Sequence, residues 1–279
     1  MSGSDRNGVD ALLAGTACAL VPRDVIEASG PDTVRFLQSL LSQSVDDLAV
    51  GGARWSFLLE PQGKVVALFR VVRTADEAFT LDTDPGVGAT LRDALLRYRI
   101  RTKCDLSEPV PAELSASPSA DGVPTFGDGA GLVRTGLDDW EVARIVAGIP
   151  RHGSEIGPDT IPNATGLVPV ATARKGCYVG QELVERIDSR GGNVPERLVV
   201  LEGAAAGVSD GAVVLGEPIV VRLPGDDAVV GRITSIAVHR GAWHAIGWVR
   251  RSAPIESELV GEREGAALRL RVRRDVGPV

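Results

Sequence analysis

Three kinds of reactive side chain meet in one short stretch, "RKGCYVGQELVERI" (174–187): the amine of Lys175, the thiol of Cys177 and the phenol of Tyr178. Gly176 and Gly180 bracket a tight turn and allow the backbone to approach a neighbour closely. The "QELVERI" that follows has helical spacing, with Leu183, Val184 and Ile187 on one side, and Arg190 with Gly191 and Gly192 supplies a C-terminal end. A thiol just before a helix N-terminus and two residues from a lysine is in surroundings that favour the thiolate, the form that reacts. The same position equally suits a small side chain that fills a turn. Gln181 and Glu182 either orient the loop or meet a ligand, or they satisfy the unpaired amides at the helix start.

The rest of the chain narrows the chemistry. Its 279 residues carry a net charge of -7, which argues against nucleic acid as a partner, since neutralising phosphates supplies most such affinity. Cys18, Cys104 and Cys177 are odd in number and widely spaced. They form neither a disulfide framework nor a zinc motif, and a reducing cytoplasm fits them. His152, His239 and His244 have no metal-ligating spacing, so no metal is expected. "ALLAGTACALVP" (11–22) lacks a basic flank and is broken by Gly15 and Thr16, which argues against a signal peptide. No apolar run approaches the roughly 20 residues needed to span a membrane. Lysines are only Lys64, Lys103 and Lys175, and lysine is not equivalent to arginine at a tight site.

Several elements must position the motif. "SGPDTVRFLQSLLSQSVDDL" (29–48) reads as a helix capped by Ser29, with Val34, Leu37, Leu40 and Leu41 on one face. "RWSFLLEPQGKVVALFRVVR" reads as a hairpin about "PQGK", with Val65, Ala67, Phe69 and Val71 together on one side. "FTLDT" is a strand, "DPGVGATLRDALLRYRI" a helix, and "RIRTKCDL" a strand again. "GVGATL" lacks the third glycine of a dinucleotide fingerprint and reads as an ordinary turn. Residues 107–124 read as a loop holding at most one short strand. Asp138 or Asp139 is placed to cap a helix that ends at Gly148 and Pro150. After Pro195 five short strands separated by Gly-rich turns predict a small antiparallel barrel. Alternation of Arg269, Arg271 and Arg273 with Leu268, Leu270 and Val272 marks a strand with one solvated face.

"KGCYVGQE" resembles the signature of the YgfZ family of folate-binding proteins, relatives of the glycine-cleavage T-protein (aminomethyltransferase). There it reads K-G-C-[Y/F]-x-G-Q-E, and Lys175, Gly176, Cys177, Tyr178, Gly180, Gln181 and Glu182 match; Arg186 matches a following arginine. Weaker similarities run in order along nearly the whole chain: "ASGPDTVRFLQSLLSQSV", the turn Gly63–Lys64, "YRIRTKCDL", "AGIPRHGSEI" and "VGRITSIAV…AIGWVRR". The resemblance implies an α+β fold, a T-protein-like ring of subdomains with a C-terminal antiparallel β-barrel. The division expected is 1–194 for the folate-binding region and 195–279 for the barrel.

The resemblance also implies a tetrahydrofolate in a central opening, and a role in assembly or repair of iron–sulfur enzymes that depends on the signature cysteine. Iron–sulfur enzymes or assembly factors are then the expected partners. Glu155 is a candidate partner for the pterin N–H donors, or else a surface charge. Two departures count. "PNATGLVPVATA" stands where the family often has "PQEAGL", so a glutamate is lost. Val66 and Ala67 stand where the T-protein has its catalytic aspartate, and apolar residues cannot manage the protons of aminomethyl transfer. The expected function is therefore a folate-binding accessory protein; a one-carbon transferase and a ligand-free scaffold are the alternatives.

Overall fold

The chain opens with α1 (Asp5–Leu13) and β1 (Ala17–Ser29), so "ALLAGTACALVP" is the end of a helix followed by the start of a buried strand. The structure is a computed structural model describing residues 5–167, 170–171, 175–205, 207–211, 213–263 and 265–277. β1 is the spine of an eight-stranded sheet. Its outer members are the hairpin β2 (Ala53–Leu59) and β3 (Val65–Ala75), then β4 (Ala78–Thr83), in the order β2-β3-β4-β1. On the other side of β1 lie β6 (Val110–Ser117) and β7 (Thr125–Gly127). β5 (Asp105–Leu106) and β8 (Val133–Thr135) also pair with β1.

Both faces of this sheet are covered, and period-two alternation sorts the side chains between them. Ile26, Ala28, Leu58, Ala67, Phe69 and Leu81 join α2 (Thr33–Leu40) and α3 (Gly88–Tyr98) in one apolar cluster. Ala17, Ala19, Phe57, Leu59 and Leu68 face α1 and α4 (Leu137–Ala147) in another. Val65 belongs to this second cluster, contrary to the expected alternation. The register slips between Leu58 and Leu59, so a bulge at Val66 turns Val65 to the opposite face.

Helix α2 is much shorter than the expected span 29–48. Ser29 ends β1, and Gly30 stands at φ 131 with its Cα side against the Lys103 carbonyl. Asp32 accepts from the Lys103 N–H at 2.9 Å and so does not cap the helix. At the far end the polar "SQS" draws the backbone away from helix. Ser42 N–H donates to the Phe57 carbonyl (3.0 Å) and Phe57 N–H to Ser42 Oγ (2.8 Å), which lays residues 41–43 along the outer edge of β2.

Other boundaries also move. α4 is capped by Gly136, with Asp138 and Asp139 in its first turn, and it stops at the left-handed Gly148 as expected. "RIRTKCDL" contributes only two strand residues, whereas the 107–124 segment contains an eight-residue strand. At "GVGATL" the Asp24 carboxylate accepts from the N–H groups of Gly86 (2.8 Å) and Gly88 (3.1 Å), filling the place a phosphate would take.

The C-terminal strands close into a barrel in the order β10-β11-β12-β9-β14-β13. They are β9 (Glu196–Ala204), β10 (Val213–Arg222), β11 (Val229–His239), β12 (Ala242–Arg250), β13 (Glu258–Arg263) and β14 (Ala266–Asp275). β13, "ELVGER", is the strand missed in the sequence: its alternation spans too few residues between turns to register. Val199, Leu201, Ile236, Leu268, Leu270 and Val272 fill the interior. Arg269 and Arg271 point outward, paired with Glu258 (2.9 Å) and Glu256 (3.4 Å).

Candidate functional site

The signature loop is clamped onto the tip of the β2–β3 hairpin. Gly180 has φ 78, and a Cβ there would lie 2.5 Å from the Glu60 carbonyl oxygen, 2.9 Å from Leu59 Cβ and 3.0 Å from Gly63 Cα. Gly63 reciprocates: a Cβ on it would lie 2.6 Å from Leu183 Cβ. The two glycines let two backbones touch, and helix α5 (Gln181–Ser189) starts directly from that contact. Val184 is the buried side of α5, with Leu183 and Ile187 half-buried. Gly176 is also at positive φ (98), but a Cβ there would meet nothing within 4 Å, so this glycine serves only the bend.

The motif residues take up different tasks. Cys177 is exposed, whereas Cys18 and Cys104 are buried and burial pushes the Cys104 thiol up. The Lys175 ammonium donates to the Gln38 carbonyl at the end of α2 and lies 5.6 Å from the centre of the Tyr178 ring. Burial lowers its pKa to about 8, against the opposing pull of Asp46. Tyr178 is packed in the main apolar cluster with its hydroxyl buried and unpartnered, and burial, then the charges of Glu185 and Asp188, raise its pKa to about 12. Gln181 Oε1 accepts from the Tyr178 N–H (3.1 Å), the amide-satisfying role open to it from sequence. Glu182 instead forms an exposed pair with Arg186 at 2.5 Å. Arg174 lies outside the described residues, as do Val168, Pro169, Thr172 and Ala173 of the preceding "PNATGLVPVATA" segment.

On its other side the hairpin tip borders a cavity of 810 Å³, between the 152–164 segment and the outer wall of the barrel. Lys64 pairs with Asp159 (2.6 Å) and Val65 N–H donates to the Thr160 carbonyl (2.9 Å), tying hairpin to cavity rim. The walls are apolar at Ile156, Pro158, Ile161, Ala164 and Val194, with Trp248 on the barrel side. Ala164 aligns with the glutamate absent from "PNATGL". His152 lines the cavity with Nδ1 buried and without a protein partner, and burial lowers its pKa against the pull of Asp84. In a second cavity, of 240 Å³, the charged lining residues Arg23, Asp84, Glu141, Arg144 and Arg151 are all paired.

Of the residues singled out in the sequence, Glu155 alone lines the 810 Å³ cavity, and it is not a surface charge. Its side chain is fully buried and its carboxylate is occupied. Ser235 (2.5 Å) and Thr234 (3.0 Å) donate to Oε1, Arg151 N–H donates to Oε2 (2.9 Å), and Arg144 lies 3.5 Å from Oε2. A carboxylate with four such neighbours has little capacity left for a pterin edge, so Glu155 joins the 152–164 segment to α4 and the barrel. Sequence reasoning gave no site role to His152, Arg232, Trp248 and Arg250, although all four fall within "AGIPRHGSEI" and "VGRITSIAV…AIGWVRR". The last three sit on barrel strands, and nothing in strand alternation says that the outer face of a barrel lines a cavity.

The class these features define is the aminomethyltransferase T fold. The chain superposes on a crystal structure of glycine cleavage system aminomethyltransferase T from Bartonella henselae with TM-score 0.76 over 96% of this chain and 88% of that one, at 18% identity. In sequence it is similar to the iron–sulfur cluster assembly factor IBA57 of mouse, 29% identical over 72% of this chain and 71% of that protein. It is similar also to the IBA57 homologue of Neurospora crassa, 26% identical over 62% of this chain but spanning only 50% of that protein. A 73-residue stretch is 40% identical to the tRNA-modifying protein YgfZ of Klebsiella pneumoniae, 25% of this chain and 22% of that one. No family model matches the chain. Val66 and Ala67, the pair expected where the T-protein has its aspartate, are apolar and packed: Ala67 is fully buried and Val66 lies against the same cluster.

Proposed function

We propose that the chain is an accessory protein for assembly or repair of iron–sulfur enzymes, that it holds a reduced folate in the 810 Å³ cavity, and that Cys177 is its working thiol. The observation that carries this reading is the placement of the signature loop. One hairpin tip supports both the exposed Cys177 loop and the cavity rim, so occupancy of the cavity and presentation of the thiol share a mechanical base. Similarity to IBA57 proteins supports the cellular role, and the T fold supports the ligand.

The cavity fits a folate. Its volume lies within the ~300–1,000 Å³ usual for small-molecule sites. Trp248 and the prolines supply apolar wall, and the orphan Nδ1 of His152 supplies a buried polar position. A reduced folate, when bound, supplies a carried one-carbon group. This chain's own residues bind it, shield it from water and leave Cys177 in solvent. A one-carbon transferase is disfavoured because no carboxylate stands at Val66 or Ala67.

Two measurements test the proposal. Calorimetry with 5-formyltetrahydrofolate is expected to give micromolar affinity, roughly -8 kcal/mol; no heat and no thermal shift at millimolar ligand would remove the folate. In cells lacking the gene, the wild-type chain is expected to restore activity of iron–sulfur enzymes and Cys177→Ser at equal abundance is not. Restoration by Cys177→Ser would reduce the protein to a scaffold.

A further inference from the structure

The charges around the 810 Å³ cavity do not cancel. Each acid on its lining has a basic partner: Glu155 has Arg144 (3.5 Å), Asp159 has Lys64 (2.6 Å) and Glu196 has Arg232 (2.9 Å). The lining cations are Arg232, which is compensated by Glu196, and Arg250, which is exposed and has no acidic partner among the described residues. His152 adds no further positive charge, since burial favours its neutral form.

The strand register shows where the surplus charge stands. Arg232 is opposite Trp248 on β11 and β12, and Arg250 follows Trp248 by two residues on the same face, opposite Glu196 of β9. Arg232 and Arg250 are thus diagonal neighbours, roughly 7–8 Å apart at the backbone. The indole of Trp248 stands on the same face, with the Arg232 guanidinium 5.7 Å from its centre and its N–H donating to the Glu155 carbonyl (2.9 Å). The guanidinium of Arg232 is held by Glu196, whereas Arg250 lines the cavity, is exposed, and has no acidic partner among the described residues. Among the described residues the cavity therefore has an apolar body, a neutral polar position at His152 and a single uncompensated cation at its rim.

We infer that Arg250 receives the anionic tail of the cavity's ligand, so that the site selects a flat ring system bearing a carboxylate chain over the same ring without one. Resting on the folate reading above, this makes the glutamyl tail a recognised part of the ligand, with longer glutamyl chains bound more tightly. Trp248 and the proline-lined wall take the ring and benzoyl portion. The guanidinium is suited to the tail because it pairs with carboxylates in a bidentate, planar geometry.

The test compares three probes on the full chain by calorimetry at two salt concentrations: 5-formyltetrahydrofolate, its triglutamate, and 5-formyltetrahydropteroate, which keeps the rings and lacks the glutamate. The expected order of affinity is triglutamate, then monoglutamate, then pteroate, with the difference shrinking at high salt. Arg250→Ala should weaken the triglutamate by about five-fold, as for an exposed ion pair, and leave the pteroate unchanged. Arg250→Glu should weaken the triglutamate further, and Arg250→Lys should restore much of the loss. Equal affinity of all three probes, unchanged in Arg250→Ala, would overturn the tail assignment and leave the folate reading standing. No binding of any probe would overturn both.

Discussion

Replacing Gly180 by alanine tests whether the signature loop is held by the hairpin as described. The new methyl group is penalised twice. Its backbone must stay at φ 78, and its Cβ would lie 2.5 Å from the Glu60 carbonyl oxygen, inside any tolerable contact. The conformational part costs about 1–2 kcal/mol and overpacking adds about 1–3 kcal/mol, for a destabilisation of about 2–5 kcal/mol. At roughly 2–4 °C per kcal/mol for a chain of this size, the melting temperature should fall by at least about 4 °C. Gly176→Ala is the internal control. It carries the conformational part alone, because nothing lies within 4 Å of its Cβ direction, and should cost about 1–2 kcal/mol. Thermal and urea unfolding of the two variants, side by side, measure the difference. Equal losses, or a larger loss at Gly176, would refute the close approach of the signature turn to the hairpin.

Further outcomes follow from other contacts. Cys177→Ser should change stability by no more than about 1 kcal/mol, and limiting iodoacetamide mapped by mass spectrometry should label Cys177 ahead of the buried Cys18 and Cys104; earlier labelling of Cys104 would contradict the packing. The Lys175 pKa, about 8 when folded against 10.5 for the free side chain, means that the unfolded chain binds the extra proton between those values. Wild-type stability relative to Lys175→Met should therefore rise with pH across that window, and a flat difference in urea midpoints from about pH 7.5 to 10 would exclude it. Arg144→Met leaves the fully buried Glu155 side chain without its cation and should cost about 3–5 kcal/mol, read as a shift in urea midpoint. Incubation with tetrahydrofolate and an aminomethyl donor should yield no methylenetetrahydrofolate, and a yield that disappears on mutating a carboxylate elsewhere would show a catalytic acid outside the Val66–Ala67 position.

Five of the six barrel strands, the β2–β3 hairpin and α3–α5 were legible because their apolar residues alternate or repeat over enough positions. Val87, Leu91 and Leu95 do all lie in one cluster, as their spacing requires. What escaped was decided by partners distant in the chain. Ser42 and Ser44 only weaken a helix by type; the stop is decided because Ser42 has Phe57 to bond and Gln38 Oε1 accepts from the Val45 N–H at 2.8 Å. The side change at Val65 depends on a bulge that no alternation pattern encodes. Within the candidate site the sequence singled out the signature turn, and its glycines could be read as a close approach. It could not reveal that the object approached is Gly63, nor that the Glu155 carboxylate is consumed by the nearby Arg151 N–H and by Arg144, Thr234 and Ser235 from other elements. Arg250 looked like one arginine among 30 basic residues; only the pairing of its neighbours distinguishes it.

The strand edges limit how this protein can be recognised. β9 pairs with both β12 and β14, so the barrel ring is complete, and residues 41–43 lie along the outer border of β2. The opposite border of the sheet is β7, only three residues long. Among the described residues there is thus little backbone on which a second polypeptide could lay a strand of its own. Any protein that binds this chain must instead grip side chains and loop tips, contacts that form and release without unzipping hydrogen-bonded ladders, and the same economy of edges protects the chain from fusing edge to edge with its own copies.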